Sequence, residues 1–359
     1  MTKLLYITNG INGSGGLERV LSVKASRLTE EYNYNVHILS LNEGNPNPFY
    51  KFSPKIKFIS ITVSGNPIGY YRSYQKGVQN VVNDIQPNII SVCDDGLKGF
   101  FIPSIIKTKA KIIYERHASI RLNAGNSFKG RFVNYFMQRQ ASKFERFIVL
   151  TPSNNKEWKS DNVIVIPNPL SFNSTLENPH NQKRIIAVGS HSWNKGYDLL
   201  LKIWKPLEYL FSDWRLDIYG KIDRSKTFVK MAEEMNLKKV FFHSPVKNIQ
   251  LEYEQSSLLV LTSRSEGFGM VLIEAMECGV PCIAFDCPSG PGDIISDGQD
   301  GILIPELDSN EFERRLIELI QDDNLRKLMG MAAKRNAYRY SAPEVVKKWD
   351  ELFKEITRN

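Results

Sequence analysis

Cysteine is scarce in this chain. Four of 359 residues, Cys93, Cys278, Cys282 and Cys287, carry thiols, and no two form a Cys-x-x-Cys pair. That excludes a disulfide-stapled scaffold. The last three lie close together, but on or beside apolar runs where a thiol behaves as a small hydrophobe, and their spacing matches no usual zinc pattern. Long apolar runs are missing too: the longest, such as IIAVG and LLVLT, reach about five residues, against the roughly 20 of a spanning helix. The opening MTKLLYITNG reads as a strand with no small-residue cleavage site behind an apolar run, so a cytoplasmic protein is expected. No Asp-x-Asp occurs to hold a metal-bound diphosphate, no Gly-x-Gly-x-x-Gly is present, and no acid is read at the end of the second strand to hold a ribose. A nicotinamide cofactor and a metal are therefore both disfavoured, and no cofactor is expected.

What is present is ordinary globular composition, with 42% apolar and 24% charged residues. The length suggests two domains. Strand-like runs rich in Val and Ile alternate with amphipathic stretches: residues 3–9, 35–41, 56–61, 88–94, 111–117, 146–151 and 163–167, then again 184–190, 214–220, 240–245, 258–263, 281–287 and 301–305. Continuously apolar strands are those of a parallel sheet buried on both faces. The stretch 168–182, rich in Asn, Pro and Ser, breaks the pattern and reads as a linker. The expected fold is α/β, two doubly wound domains facing each other across a cleft, with ligands beyond the carboxyl ends of the strands. The boundaries are 1–170 for the first domain and 171–341 for the second, with the helix at 342–359 packing back on the first.

Polar residues after the strands supply the chemistry. GINGSGGLERV follows the first strand, and Gly15 and Gly16 precede a helix start, an arrangement suited to anions or simply to a tight turn. In GSHSWNKGYDLL, Lys195 sits where loop becomes helix and can reach a phosphate as a point charge. SRSEGFGMVLIEAMECGVPCIAFDC places Glu266 in a loop, Gly267 and Gly269 around Phe268, and Glu274 in the second turn of the next helix. Free amides beside two separated carboxylates suit a polyhydroxylated, anionic ligand such as a sugar diphosphate.

With GGLERV, VIPNP at 165–169, VGSHSWNKG at 188–196 and SEGFGMVLIEAMECGVPCIA at 265–284, the whole chain resembles the retaining GT-B glycosyltransferases of the large bacterial nucleotide-sugar-dependent class (glycosyl transferases group 1, family 4). The resemblance implies two Rossmann-like domains, the first for the acceptor and the second for the nucleotide sugar, with a UDP-sugar as the expected donor. It implies that Glu266 contacts donor hydroxyls, that Glu274 holds the ribose, and that the amides of Phe268, Gly269 and Met270 meet sugar and phosphate. Lys195 resembles the pyrophosphate-binding Lys, and Gly15 and Gly16 the turn approaching phosphates and acceptor. His117 resembles the histidine near the reacting carbon. Glu266, His117 and Lys195 are thus the candidate catalytic residues. Val271, Ser190 and Val246 complete the donor set with Glu274, Gly267, Phe268, Gly269, Met270, Gly15 and Gly16. Ser190 stands where relatives usually carry Arg as a second phosphate clamp, so a cation from elsewhere, Arg264 or Lys221, is a candidate replacement.

Charge is uneven. Residues 1–170 hold 22 Lys+Arg and 11 Asp+Glu, a balance of +11, whereas residues 171–359 hold 25 and 28, or −3. The segment 127–147 mixes Lys129, Arg131, Arg139, Lys143 and Arg146 with Phe128, Phe132, Tyr135, Phe136, Phe144 and Phe147. A basic, aromatic amphipathic helix reads as a surface for an anionic membrane, or as a helix packing its aromatics inward. Lys129, Arg131, Arg139 and Lys143 are the candidate membrane or acceptor contacts, which makes the expected location the inner face of the cell membrane, held peripherally. No nucleic-acid recognition motif accompanies these charges. The expected partners are a nucleotide sugar and a glycan or lipid-linked acceptor. A nucleotide-sugar epimerase of the same fold and a non-enzymatic nucleic-acid-binding protein are the competing readings.

Overall fold

A computed structural model describes residues 1–94, 96–120, 128–175, 178 and 181–358. It contains two units: Met1–Ser171 with Ala342–Asn359, and Phe172–Ser341. Part of the expected linker, at 176–177 and 179–180, lies outside the described residues, as does 359.

The first unit is built on seven strands, β1 (Lys3–Thr8), β2 (Asn35–Leu41), β3 (Lys57–Ile61), β4 (Ile89–Cys93), β5 (Lys111–Glu115), β6 (Arg146–Val149) and β7 (Val163–Val165). They form one parallel sheet in the order β3-β2-β1-β4-β5-β6-β7. The second unit carries β8 (Arg184–Val188), β9 (Arg215–Tyr219), β10 (Val240–His243), β11 (Leu258–Leu261), β12 (Cys282–Phe285) and β13 (Gly301–Ile304). These are also all parallel, in the order β10-β9-β8-β11-β12-β13. The α/β, doubly wound class holds in both units. The apolar runs explain it: β4, β11 and β12 are buried at every residue, as strands covered by helices on both faces must be.

Capping chemistry sets one helix start in the first unit. The helix Pro67–Ile85 begins where it does because the Asn66 side chain accepts from Gly69 N and proline suits the first helical position. The helix Phe128–Ala141 stops before the basic-aromatic segment does. Phe144 and Phe147 are core residues, in ring contact with Phe100 and Tyr114, so they leave the surface set. Arg146 pairs with Glu355 at 2.7 Å.

The closing helix, Ala342–Arg358, belongs to the first unit, where Val345, Trp349, Leu352 and Phe353 share a core with Leu21, Ala25 and Leu28. Beneath it lies a buried ion pair, Lys24 on Glu115, both side chains about 1% exposed. The Lys24 ammonium also lies 4.0 Å from the Trp349 ring centre and 4.9 Å from that of Tyr6, and Ser91 Oγ donates to the same carboxylate.

Lys24→Ala strands the Glu115 carboxylate in this core and is expected to cost about 3–5 kcal/mol of unfolding free energy, read from a denaturant titration. Burial pushes the Glu115 carboxyl up, but Lys24 and His117 outweigh it and hold it well below its usual range. The pair's stabilisation is therefore present above the unfolded-state pKa and lost as pH falls through the depressed folded value. Wild type and variant should converge only in strong acid. A loss below about 1 kcal/mol, the scale of exposed pairs, would contradict a buried pair.

Candidate active site

In the second unit, β8 and β11 are hydrogen-bonded neighbours, so the loops that follow them emerge side by side. After β8 the chain makes the short helical turn Trp193–Lys195 and enters the helix Tyr197–Leu210; after β11 it passes through 262–269 into the helix Met270–Glu277. The two loops are stitched together. Arg264 N donates to the Asn194 carbonyl at 2.8 Å, and Asn194 Nδ2 to the Ser265 carbonyl at 2.7 Å. Thr262 Oγ1 donates to the carbonyls of Lys195 and Gly196, each at 3.1 Å. Gly196 has φ +65°, and a Cβ there would come within 2.0 Å of the Thr262 carbonyl oxygen, so glycine is what lets the loops approach.

This stitching brings Lys195 Nζ to 2.6 Å from Glu266 Oε1, with the side chains 19% and 11% exposed. A partly desolvated ammonium and carboxylate in one place offer both a phosphate contact and an acceptor for hydroxyls. Glu266 also acts on its surroundings: after burial itself, its charge is the main influence pushing the Cys287 thiol up to about 12. Gly267, Phe268, Gly269, Met270 and Val271 follow on the same loop and helix. Gly269 sits at φ +103° as the residue before the helix, and no side chain caps that helix start. Phe268 is buried edge-on against Tyr340, ring centres 5.5 Å apart, and anchors the turn.

Glu274 is fully buried, and accepts from the Tyr253 hydroxyl at 3.1 Å. It thus shares its helix with the loop of Glu266 but stands in the packed interior. Ser190 is exposed just after β8, and Val246 is 36% exposed in the loop after β10. Of the two cations considered beside Ser190, Arg264 is engaged: its two terminal nitrogens meet the Asp198 carboxylate at 2.8 and 2.7 Å, and its guanidinium lies 3.8 Å from the Trp193 ring centre.

In the first unit, Gly15 precedes the helix Gly16–Glu30, and both glycines are exposed. An acid does follow the second strand. Glu43 lies two residues beyond β2, and its carboxylate accepts from Ile11 N at 2.9 Å and Asn12 N at 3.0 Å. Two amides of the glycine-rich loop are thus already satisfied internally. His117 Nε2 lies 3.5 Å from Glu115 Oε2. A sulfur of Cys93, an oxygen of Glu115 and a nitrogen of His117 lie within 4.8 Å of one another. That spacing does not make a good metal site: Lys24 already neutralises Glu115, and burial, then the Glu115 charge, push the Cys93 thiol well up, away from the thiolate a metal needs.

Sequence reasoning missed Asp198, Tyr253, Glu43 and the Lys24–Glu115 pair. Only the last left a signal, a glutamate inside the apolar run KIIYE and a lysine among the apolar positions of the first helix.

The glycosyl transferases group 1 family profile matches residues 172–336. The amylovoran biosynthesis glycosyltransferase of Erwinia amylovora is 29% identical, covering 98% of this chain and 99% of its own. The GalNAc-alpha-(1->4)-GalNAc-alpha-(1->3)-diNAcBac-PP-undecaprenol alpha-1,4-N-acetyl-D-galactosaminyltransferase of Campylobacter jejuni is 23% identical, covering 99% of both. Among solved structures, a point mutant of S. aureus TarM in complex with fondaparinux, alpha-GlcNAc-glycerol and UDP superposes with a TM-score of 0.82 over 98% of this chain and 100% of that one, at 17% identity, a likeness of fold. The family match thus falls on the second unit, which reads as a group 1 glycosyltransferase domain, and the chain as a whole has the GT-B fold.

Proposed function

We propose that the protein transfers a hexosyl or N-acetylhexosaminyl group from a nucleotide sugar, most simply a UDP-sugar, to a glycan or lipid-linked acceptor during synthesis of a cell-surface glycan. The Lys195–Glu266 pair beside the uncapped helix start at Met270 carries this reading. The UDP bound to TarM and the undecaprenol-linked substrate in the name of the Campylobacter relative support it. A diphosphate arriving at Lys195 competes with Glu266 for the ammonium, which frees the carboxylate to accept hydrogen bonds from the sugar hydroxyls. Transfer breaks the bond between the anomeric carbon and the phosphate oxygen. The acceptor oxygen bonds to that carbon on the same face, and the acceptor proton passes to the departing phosphate. Lys195 and the amides at 269–271 stabilise the charge that develops on the diphosphate. Retention is supported by the alpha linkage in the relative's name, the linkage an alpha-configured donor gives when its configuration is kept; the ion pairing of Glu266 argues separately against a covalent intermediate on that carboxylate. No divalent ion has a role in these steps, so assays are run in EDTA.

Lys195→Ala is expected to lower turnover by at least about 10²-fold, the scale of one lost charge-stabilising donor, measured as sugar transfer from a UDP-sugar. Activity within a few-fold of wild type would assign the diphosphate to another cation. Glu274 is tested by Glu274→Gln, because truncation to Ala would leave the buried Tyr253 hydroxyl without this partner. The Gln variant should keep its melting temperature and bind UDP at least about ten-fold more weakly; unchanged affinity would remove Glu274 from the nucleotide site.

The acceptor side of the proposal rests on the first unit. Phe128, Phe132 and Tyr135 are 86%, 69% and 65% exposed, and their spacing puts them on one face of the helix Phe128–Ala141. Lys129, Arg131 and Arg139 are exposed on the same helix, while Lys143, beyond its end, donates to Ser104 Oγ at 3.2 Å. Phe136 instead packs on Phe101, ring centres 5.2 Å apart. Among the described residues no helix is long and apolar enough to cross a membrane. Aromatics among cations suit reversible docking at an anionic bilayer, where each basic residue contributes about 1 kcal/mol, reduced by salt. The protein should co-sediment with anionic but not neutral vesicles at physiological salt, and changing Lys129, Arg131 and Arg139 to Ser should abolish this. Equal, negligible binding to both vesicles would favour a soluble acceptor.

A further inference from the structure

The charge balance around Lys195 leaves a gap. A nucleoside diphosphate brings at least two negative charges, and the two cations on the stitched loops are each matched by a carboxylate: Lys195 by Glu266, and Arg264 by Asp198 in a two-pronged contact. Releasing Glu266 to the sugar frees one ammonium. Arg264 is not free to follow. It donates to the Trp193 carbonyl at 2.7 Å as well as to Asp198, and it lies over the Trp193 ring. Withdrawing it would undo the contact that holds the Trp193–Lys195 turn.

The loop after β9 offers the missing charge. Its backbone runs against that of the β8 loop: Gly189 N donates to the Tyr219 carbonyl at 2.8 Å, and His191 N to the Lys221 carbonyl at 2.9 Å. A Cβ on Gly220 would fall 1.8 Å from the Gly189 carbonyl oxygen and 3.2 Å from Ser190 N, so only glycine permits this approach. On the other side, a Cβ on Gly189 would fall 2.9 Å from Lys195 Cε. Gly189 thus lies between the side chain of Lys195 and the backbone that carries Lys221. Lys221 is exposed and takes part in no ion pair or side-chain hydrogen bond among the described residues. Asp223, the nearest acid along the loop, is occupied with Thr227 N and Thr227 Oγ1. Arg224 and Lys226 share the loop but lie beyond the backbone contact.

We infer that Lys221 is the second phosphate-binding cation of the donor site, taking the charge role that Ser190 cannot fill. This rests on the nucleotide-sugar reading above. The exposed Ser190 and the braced Lys221 are two backbone positions from which one cation reaches one place, so the charge can be moved between them.

The experiment measures affinity for UDP, GDP and ADP by calorimetry. The tightest binder becomes the probe, and its nucleoside, followed by saturation-transfer NMR, the control. Lys221→Ala is expected to weaken the diphosphate about ten-fold or more while leaving the nucleoside and the melting temperature unchanged. Lys221→Arg should retain affinity, and adding Ser190→Arg to Lys221→Ala should restore it. Diphosphate affinity within two-fold of wild type in Lys221→Ala overturns the inference, as does an equal loss for diphosphate and nucleoside. If wild type binds none of the three diphosphates, the nucleotide-sugar reading itself fails, which is a different result from a wild type that binds and a variant that binds equally well.

Discussion

The contact between Lys195 and Glu266 depends on backbone more than on charge. Two carbonyls, those of Lys195 and Gly196, share one hydroxyl on Thr262, and Gly196 stands where any side chain would meet the Thr262 carbonyl. Because β8 and β11 are adjacent and parallel, both loops leave the sheet in the same direction. An ammonium and a carboxylate 71 residues apart then meet at 2.6 Å without either long side chain having to search for its partner. Preorganisation of this kind makes a charge useful in catalysis, since its orientation is settled before any substrate arrives. Arg264, tied to both Trp193 and Asp198, closes the same stitch from the other side.

The fold was legible because its signals are local. A strand buried on both faces, such as β4, β11 or β12, has to be apolar throughout, and all thirteen runs read from the sequence, the partly exposed edges β3, β7 and β10 included, reappear as strands, mostly trimmed at their ends. Glu266, Lys195 and the glycines around Phe268 were legible for a related reason: they lie directly after strands, where an open parallel sheet places its ligands. Pairings were not legible. Nothing in the sequence near Arg264 says that Asp198, 66 residues away, will occupy it, or that Glu43 will reach back to the amides of Ile11 and Asn12. The partner of a charge is decided by strand order, which a single sequence does not print. The same limit explains Phe144 and Phe147. Periodicity groups them with the exposed aromatics of 127–147, but the end of the helix at Ala141 and the strand at Arg146 turn them into core.

The Lys195 loops and the helix Phe128–Ala141 use their cations in opposite ways, in a chain whose balance is +11 in residues 1–170 and −3 in residues 171–359. In the second unit Lys195 and Arg264 face carboxylates at contact distance, and acids exceed bases. A matched pair has little field at long range, but it is strong and oriented at contact distance. In the first unit Lys24 is matched to Glu115 in the core and Arg146 to Glu355 nearer the surface, while Lys129, Arg131 and Arg139 on the helix Phe128–Ala141 face solvent in no ion pair among the described residues. Unmatched surface charge is weak at any one contact and additive over a patch, which suits a partner met as a surface rather than as a single molecule. The charges are thus divided: paired and oriented at contact distance on the loops after β8 and β11, unmatched over a helix surface in the first unit.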